Sequence, residues 1–245
     1  MIFLKLFQKL YLYWFLMLVI VVFLLLYPFT FLFLLHPKTY FLAHYTNKVW
    51  GFLSYSLSLI PWWTTKEVRL PTTAVYCANH FSYLDIPTSF LSVPGYFSII
   101  GKASITKMPL FGYMFKKLYI SVDRGHSRNR YQAYTDGVKM VESGRSIVVY
   151  PEGGIHSVVP EMARFKDGAF KIAIETNAPV VPMTIYNTWI MLRDEKKKFL
   201  KWRPSKVKFH TPIETKSLSL DDLDTLKQQV FDVIQNELNR TFGSC

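Results

Sequence analysis

Two hydrophobic patterns divide the chain, with the change near residue 63. From residue 10 to residue 37 there is no Lys, Arg, Asp or Glu, and most positions are Leu, Phe, Val, Ile, Tyr or Trp. At about 1.5 Å per residue, a helix of that length exceeds the roughly 30 Å hydrocarbon core of a bilayer. The segment is therefore expected to lie in a membrane. It is too long for a cleaved signal peptide and lacks a small-residue cleavage site. Pro28 is expected to end the first helix at about residue 27. A second arm is predicted over residues 39–60, where Phe41, Tyr45, Val49, Leu53, Leu57 and Ile60 recur at helical spacing. Asn47, Lys48, Ser54 and Ser58 make that arm more polar, as an interfacial helix should be. Trp62 and Trp63, just after Pro61, are expected at headgroup depth. Lys5 and Lys9 precede the apolar run, and Lys38 and Lys48 follow it. Basic flanks on both sides conflict with a single crossing. They favour a hairpin that leaves the bilayer on the side it entered, with one ordinary crossing as the alternative.

Beyond residue 63, short β-branched runs alternate with amphipathic ones. Strands are predicted at residues 74–78, 96–100, 118–122, 146–150, 180–185 and 207–209. Helices are predicted at residues 108–116, at 128–142 closed by Ser143-Gly144, and at 168–176 closed by Asn177. A last helix opens at Asp221-Asp222 and carries an apolar stripe of Leu223, Leu226, Val230, Ile234 and Leu238. This alternation predicts an α/β domain over residues 64–245, with a mixed, mostly parallel sheet flanked by helices. The membrane-embedded helical segment of residues 1–63 precedes it. Ligands of such sheets gather beyond the carboxyl ends of the strands.

Composition narrows the partner. The 245 residues have room for one domain with a sizeable core plus the appendage. The net charge is +12, and residues 1–63 hold four lysines and no acid. A basic protein suits an anionic partner, either nucleic acid or a membrane surface. The apolar segment selects the membrane, and the cations are not gathered into the basic and aromatic tracts of a nucleic-acid binder. Cys77 and Cys245 form neither a disulfide framework nor a metal-ligand pattern.

The candidate chemistry begins at Ala78-Asn79-His80-Phe81-Ser82-Tyr83-Leu84-Asp85. A spacing of five turns two side chains apart on a continuous helix. His80 and Asp85 meet only if the chain leaves a strand, turns and enters a helix between them. A histidine so held, with a carboxylate to orient its ring, is a general base without a serine of its own. A substrate alcohol is then the expected source of the hydroxyl. Asp85, two residues before Pro87, also reads as a plain helix cap.

Four blocks in order resemble the 1-acyl-glycerol-3-phosphate acyltransferase family. They are Asn79-His80 with Asp85, then Tyr119-Ile120-Ser121-Val122-Asp123-Arg124-Gly125, then Val149-Tyr150-Pro151-Glu152-Gly153-Gly154, and finally Ala178-Pro179-Val180-Val181-Pro182. The resemblance spans residues 79–184. It implies transfer of a fatty acyl group from acyl-CoA or acyl carrier protein to the hydroxyl of lysophosphatidic acid, at the cytoplasmic face of a membrane. It implies His80 as base with Asp85, and Lys102, Arg124, Glu152 and Gly153 as acceptor-binding residues. No cofactor or metal is expected, and a metal set of His80, Asp85, Glu152 and His156 has no standard spacing. Glu152 is open to a second role, anchoring its loop through backbone N–H groups. The third block departs from the usual Phe-Pro-Glu-Gly-Thr-Arg, with Gly154 and Ile155 in the last two places and His156 after them. Arg164 and Lys166 are expected to compensate for the missing arginine. The departure keeps open another lysolipid or an acylated amino acid lipid as acceptor. A non-catalytic basic membrane-surface module and a lipid-ester hydrolase are further alternatives.

Overall fold

The computed structural model describes residues 2–123, 125–155, 159–193 and 199–243. Two helices, α1 (Ile2–Phe33) and α2 (Tyr40–Leu57), come first. The domain follows as β1 (Trp62–Lys66), β2 (Val75–Ala78), α3 (Asp85–Ser92), β3 (Phe97–Lys102), α4 (Phe111–Leu118), β4 (Ile120–Val122), α5 (Ser127–Glu142) and β5 (Ser146–Val149). It ends with α6 (Gly168–Glu175), β6 (Val180–Tyr186), α7 (Thr188–Met191), β7 (Ser205–Phe209) and α8 (Leu223–Phe242).

The strands form one seven-stranded sheet in the order β1-β7-β6-β2-β5-β3-β4. Every neighbouring pair is parallel except β6 with β7. The mixed, mostly parallel sheet expected from the alternation is present. Strands β2, β5 and β6 are buried on both faces, which is why they read as unbroken apolar runs. Along β2, Val75 and Cys77 pack with Ile172, Val230 and Ile234 on one face. Tyr76 and Ala78 pack on the other with Phe90, Met114 and Phe115, as the two-residue strand period requires. The apolar stripe of α8 is buried at Leu226, Val230, Ile234 and Leu238.

The N-terminal segment is a helical pair. Helix α1 runs through Pro28 rather than ending at residue 27. The proline lies one turn and a half before the helix end, and α2 braces α1 on both sides of it. Thr30 Oγ1 meets Thr46 Oγ1 at 2.7 Å, and the Trp50 indole donates to the Val19 carbonyl at 2.9 Å. After a 3-10 turn at Pro37–Thr39, α2 returns antiparallel, so that Phe15 packs on Tyr55 and Tyr11 donates to the Ser58 carbonyl. The span Phe3–Phe33 is long and apolar enough to cross a membrane.

Helix α2 is oriented opposite to a core helix. His44, Asn47, Gly51, Ser54 and Tyr55 are buried, while Phe41, Tyr45, Val49, Phe52 and Leu57 are exposed. The inward face finds polar partners on α3 and at its C-cap: Lys48 Nζ donates to the Val93 carbonyl at 2.7 Å, and Tyr55 Oη meets Thr88 Oγ1 at 2.8 Å. Helix α1 touches the domain near both ends, where Leu200 N donates to the Gln8 carbonyl and Tyr27 donates to the Leu110 carbonyl. Trp62 and Trp63 open the edge strand β1, which the sequence pattern did not predict. Trp62 is half-buried against Phe52 and Tyr55, and Trp63 is exposed.

Candidate active site

The carboxyl ends of β2, β3, β4 and β5 lie side by side and carry His80, Lys102, Asp123 and Glu152. They border a cavity of about 1230 Å³ lined by His80, Tyr83, Lys102, Tyr150, Gly153 and Lys166. Away from these polar groups the wall is apolar, with Ile99, Ile105, Met108, Phe111, Met114 and Phe115. A large apolar space with a few convergent polar groups is what an oriented lipid chain requires.

After Ala78 the chain leaves β2 and holds its turn by side-chain bonds. Asn79 extends the ladder to β6: its Nδ2 donates to the Ile185 carbonyl at 3.0 Å and its Oδ1 accepts from Ile185 N at 2.8 Å. Ser82 Oγ donates to the Leu192 carbonyl at 2.8 Å and accepts from Leu84 N. Helix α3 then opens at Asp85, whose carboxylate is fully buried. Its Oδ2 accepts from Phe81 N at 2.8 Å and Ser82 N at 2.9 Å, and lies 2.9 Å from His80 Nδ1. Asp85 is not the helix cap, since Leu84 holds that position without a side-chain bond; Asp85 Oδ2 instead binds the turn before the helix and the His80 ring. An ionised carboxylate only accepts, so Nδ1 carries the ring proton and the Nε2 lone pair is left free. Asp85 Oδ1 is buried without a partner among the described residues, so no further donor draws the charge away from His80.

Glu152 takes the second of its two open roles. Oε1 accepts from His80 N at 2.8 Å and Oε2 from Ala163 N at 2.9 Å. The carboxylate thus ties the loop at residues 159–165 to the His80 turn. Burial pushes the Glu152 carboxyl up to about 7, against the downward pull of the two N–H bonds, and nearby Asp85 adds to the rise. Tyr150 stacks on the His80 ring, with centroids 4.2 Å apart and planes inclined by 23°.

Lys166 lies across Gly153, whose φ is +83°. A Cβ built there would come within 2.8 Å of Lys166 Nζ. The glycine is thus favoured by its backbone angle, and a Cβ there would displace the end of the Lys166 side chain. Lys166 N donates to the Pro151 carbonyl, fixing that strand of chain beside the loop. Lys102 is exposed at the end of β3. Neither lysine has a carboxylate partner among the described residues. Arg164 is not brought to the cavity. It lines a separate pocket of about 350 Å³ with Phe165 and the α8 residues Asp224, Lys227, Gln228 and Phe231, where Asp224 feels its charge. Arg124 and His156 lie outside the described residues.

Asn79 and Tyr150 stand in the resembling blocks with no role that the sequence assigns to them. A polar residue directly after an all-apolar strand is the signal for the first. The second reads as the last residue of a strand and gives no signal of its own.

His80, half-buried just after β2, and the buried Asp85 at the start of α3 thus form a hydrogen-bonded pair at the edge of the cavity. Residues 64–186 match the Acyltransferase family model, and the chain belongs to that family. It is 30% identical over 177 residues to a chloroplastic 1-acyl-sn-glycerol-3-phosphate acyltransferase of Brassica napus, covering 69% of this chain and 50% of that one. It is 31% identical over 170 residues to a 1-acyl-sn-glycerol-3-phosphate acyltransferase of Chlamydomonas reinhardtii, covering 67% of this chain and 49% of that one. The chain spans about half the length of these relatives. The crystal structure of the 1-acyl-sn-glycerophosphate acyltransferase PlsC from Thermotoga maritima shares the fold at a TM-score of 0.74. That likeness covers 97% of this chain and 95% of the other at 19% identity.

Proposed function

We propose that this protein acylates the free hydroxyl of lysophosphatidic acid, taking the acyl group from acyl-CoA or acyl carrier protein and giving phosphatidic acid. The observation that carries the reading is the hydrogen-bonded His80–Asp85 pair beside a large, mainly apolar cavity edged by Lys102 and Lys166, which have no carboxylate partner among the described residues. His80 Nε2 takes the hydroxyl proton as the alcohol oxygen attacks the thioester carbonyl. Asp85 holds the ring in the tautomer that leaves Nε2 free and stabilises the imidazolium that forms. The imidazolium returns its proton as the thiolate leaves. Cys77 is buried, and burial pushes its thiol far up. That favours direct transfer over an acyl-cysteine step. Lys102 and Lys166 hold the acceptor phosphate, with Arg124 as a third cation.

We place the helical pair in one leaflet, its exposed apolar faces toward lipid and the domain at the cytoplasmic surface. Contact of α1 with the domain near both ends supports an in-plane arrangement. An acceptor then reaches His80 sideways, without the cost of about 0.8 kcal/mol per CH₂ of drawing its chain through water.

The departure at Gly154 and Ile155 keeps a second acceptor class open, since a Cβ on Gly154 would meet nothing within 4 Å among the described residues. Purified protein in detergent, given labelled acyl-CoA and a panel of lysolipids, tests both readings. Preferential consumption of lysophosphatidic acid is expected. Preference for a lysophospholipid with a larger headgroup supports the second reading, and release of free fatty acid without acceptor refutes both.

A further inference from the structure

Tyr150 stands one residue beyond β5, and strand alternation puts it with Val148 on the side facing α3 and α4. There it makes two contacts at once. Its ring lies under His80, with centroids 4.2 Å apart and an interplanar angle of 23°. Its hydroxyl donates to the Asp85 carbonyl at 3.0 Å and accepts from Ser89 Oγ at 2.8 Å. Both of those partners sit in the first turns of α3, the helix that carries the Asp85 carboxylate. Burial raises the phenol far above the ordinary tyrosine range, so the group stays a neutral donor.

We infer that Tyr150 is a positioning residue for the proton transfer: its ring face holds the His80 imidazole and favours the imidazolium, while its hydroxyl pins the turn of α3 that presents Asp85. A neutral imidazole gains only dispersion from an aromatic face, whereas a cation within about 6 Å of the ring centroid is also drawn to the ring quadrupole. The stack therefore strengthens as the proton arrives, and only interactions of that kind speed the chemical step. Where the resembling block has Phe, this chain has Tyr. The ring face is common to both residues, and the tether needs the hydroxyl that Phe lacks.

This inference rests on the reading of His80 as the base. The titratable and charged groups in contact with His80 or lining the same cavity are Asp85 from α3, Tyr150 and Glu152 after β5, and Tyr83, Lys102, Lys107, Asp123 and Lys166 around the cavity. The variants below change Tyr150 alone.

The test uses the full-length protein with Tyr150→Phe, with pentafluorophenylalanine at position 150, and with His80→Ala as control. Phe keeps the face and removes the tether; the fluorinated ring keeps the shape and reverses the quadrupole. Thermal unfolding confirms that each folds. Tyr150→Phe is expected to lower kcat by about 2- to 10-fold, the loss of a buried hydrogen bond, with the low-pH limb of kcat/KM unmoved. The fluorinated ring is expected to lower kcat by a further 5- to 30-fold or so. It is also expected to move that limb toward lower pH, since an imidazolium less favoured gives up its proton sooner. A merely structural role predicts that the two rings behave alike. Equal kcat and equal pH limbs for the Phe and fluorinated proteins, with His80→Ala inactive, overturn the role of the face; Tyr150→Phe matching the parent overturns the tether. An active His80→Ala enzyme defeats the base reading instead, and so separates the two failures.

Discussion

Replacing Asp85 by Asn isolates the charge on which the proposed proton transfer depends. Asp85 Oδ2 receives His80 Nδ1, Phe81 N and Ser82 N, all within 2.9 Å. An asparagine whose carbonyl oxygen takes that place keeps both backbone bonds, so the turn survives. Its amide nitrogen then falls where Oδ1 lies, buried and without a partner among the described residues. A buried donor left unpaired costs about 1–3 kcal/mol of stability, which shows as a lower Tm. The catalytic loss is larger. An imidazolium and a carboxylate about 4 Å apart attract by about 4 kcal/mol at an effective dielectric constant of about 20. At about 1.4 kcal/mol per decade, Asp85→Asn should lower kcat about 10³-fold. The assay is steady-state transfer at saturating donor and lysophosphatidic acid, with thermal unfolding in parallel. A folded Asp85→Asn protein whose kcat stays within about 10-fold of the parent's refutes the electrostatic role, because that is less than half the expected energy.

Three further outcomes follow. Glu152 is raised to about 7 in the folded protein, so below that pH it keeps a proton that the unfolded chain has lost. Its contribution to stability is full below the ordinary glutamate range and is lost as pH rises through about 7. Glu152→Gln should therefore show a smaller fall in Tm between about pH 5 and about pH 8 than the parent does; an equal or larger fall contradicts the burial argument. Gly153→Ala should push Lys166 aside and, like Lys166→Met, raise KM for the acceptor much more than KM for the acyl donor; unchanged acceptor KM in both removes Lys166 from phosphate binding. With Cys245→Ser as background and Cys77 buried, a cysteine at position 3 should react from the side of the catalytic domain in intact vesicles. Labelling only from the opposite side would mean that the segment crosses once.

What could be read from the sequence follows the range of the forces involved. The His80–Asp85 pair was legible because one strand end, one turn and one helix start bring it together within six residues. The parallel strands were legible because burial on both faces leaves unbroken runs such as Val75-Tyr76-Cys77-Ala78. Strand β1 was not, since it is an edge strand whose partner among the described residues, β7, lies some 140 residues away in sequence. Pro28 was expected to break a helix on local grounds, but packing against α2 carries α1 past it. The periodicity of α2 shows an apolar stripe without saying which side meets the protein. The answer depends on Thr88, Val93 and Tyr119, which partner Tyr55, Lys48 and Asn47 across gaps of 33 to 72 residues. Arg164 and Lys166 look alike as sequence. One lines a pocket against α8 with Asp224 and Lys227, and the other lies over Gly153, with Lys166 N bonded to the Pro151 carbonyl.

The central claim is that His80 takes the proton from the hydroxyl of lysophosphatidic acid during direct acyl transfer. The most direct test is a single-turnover experiment in mixed micelles with labelled acyl-CoA, comparing the parent with His80→Ala at matched Tm. Phosphatidic acid should form in the parent, without a labelled protein intermediate, and its rate should fall by about 10²–10⁴-fold in His80→Ala. A folded His80→Ala protein that forms phosphatidic acid at the parent's rate contradicts the account.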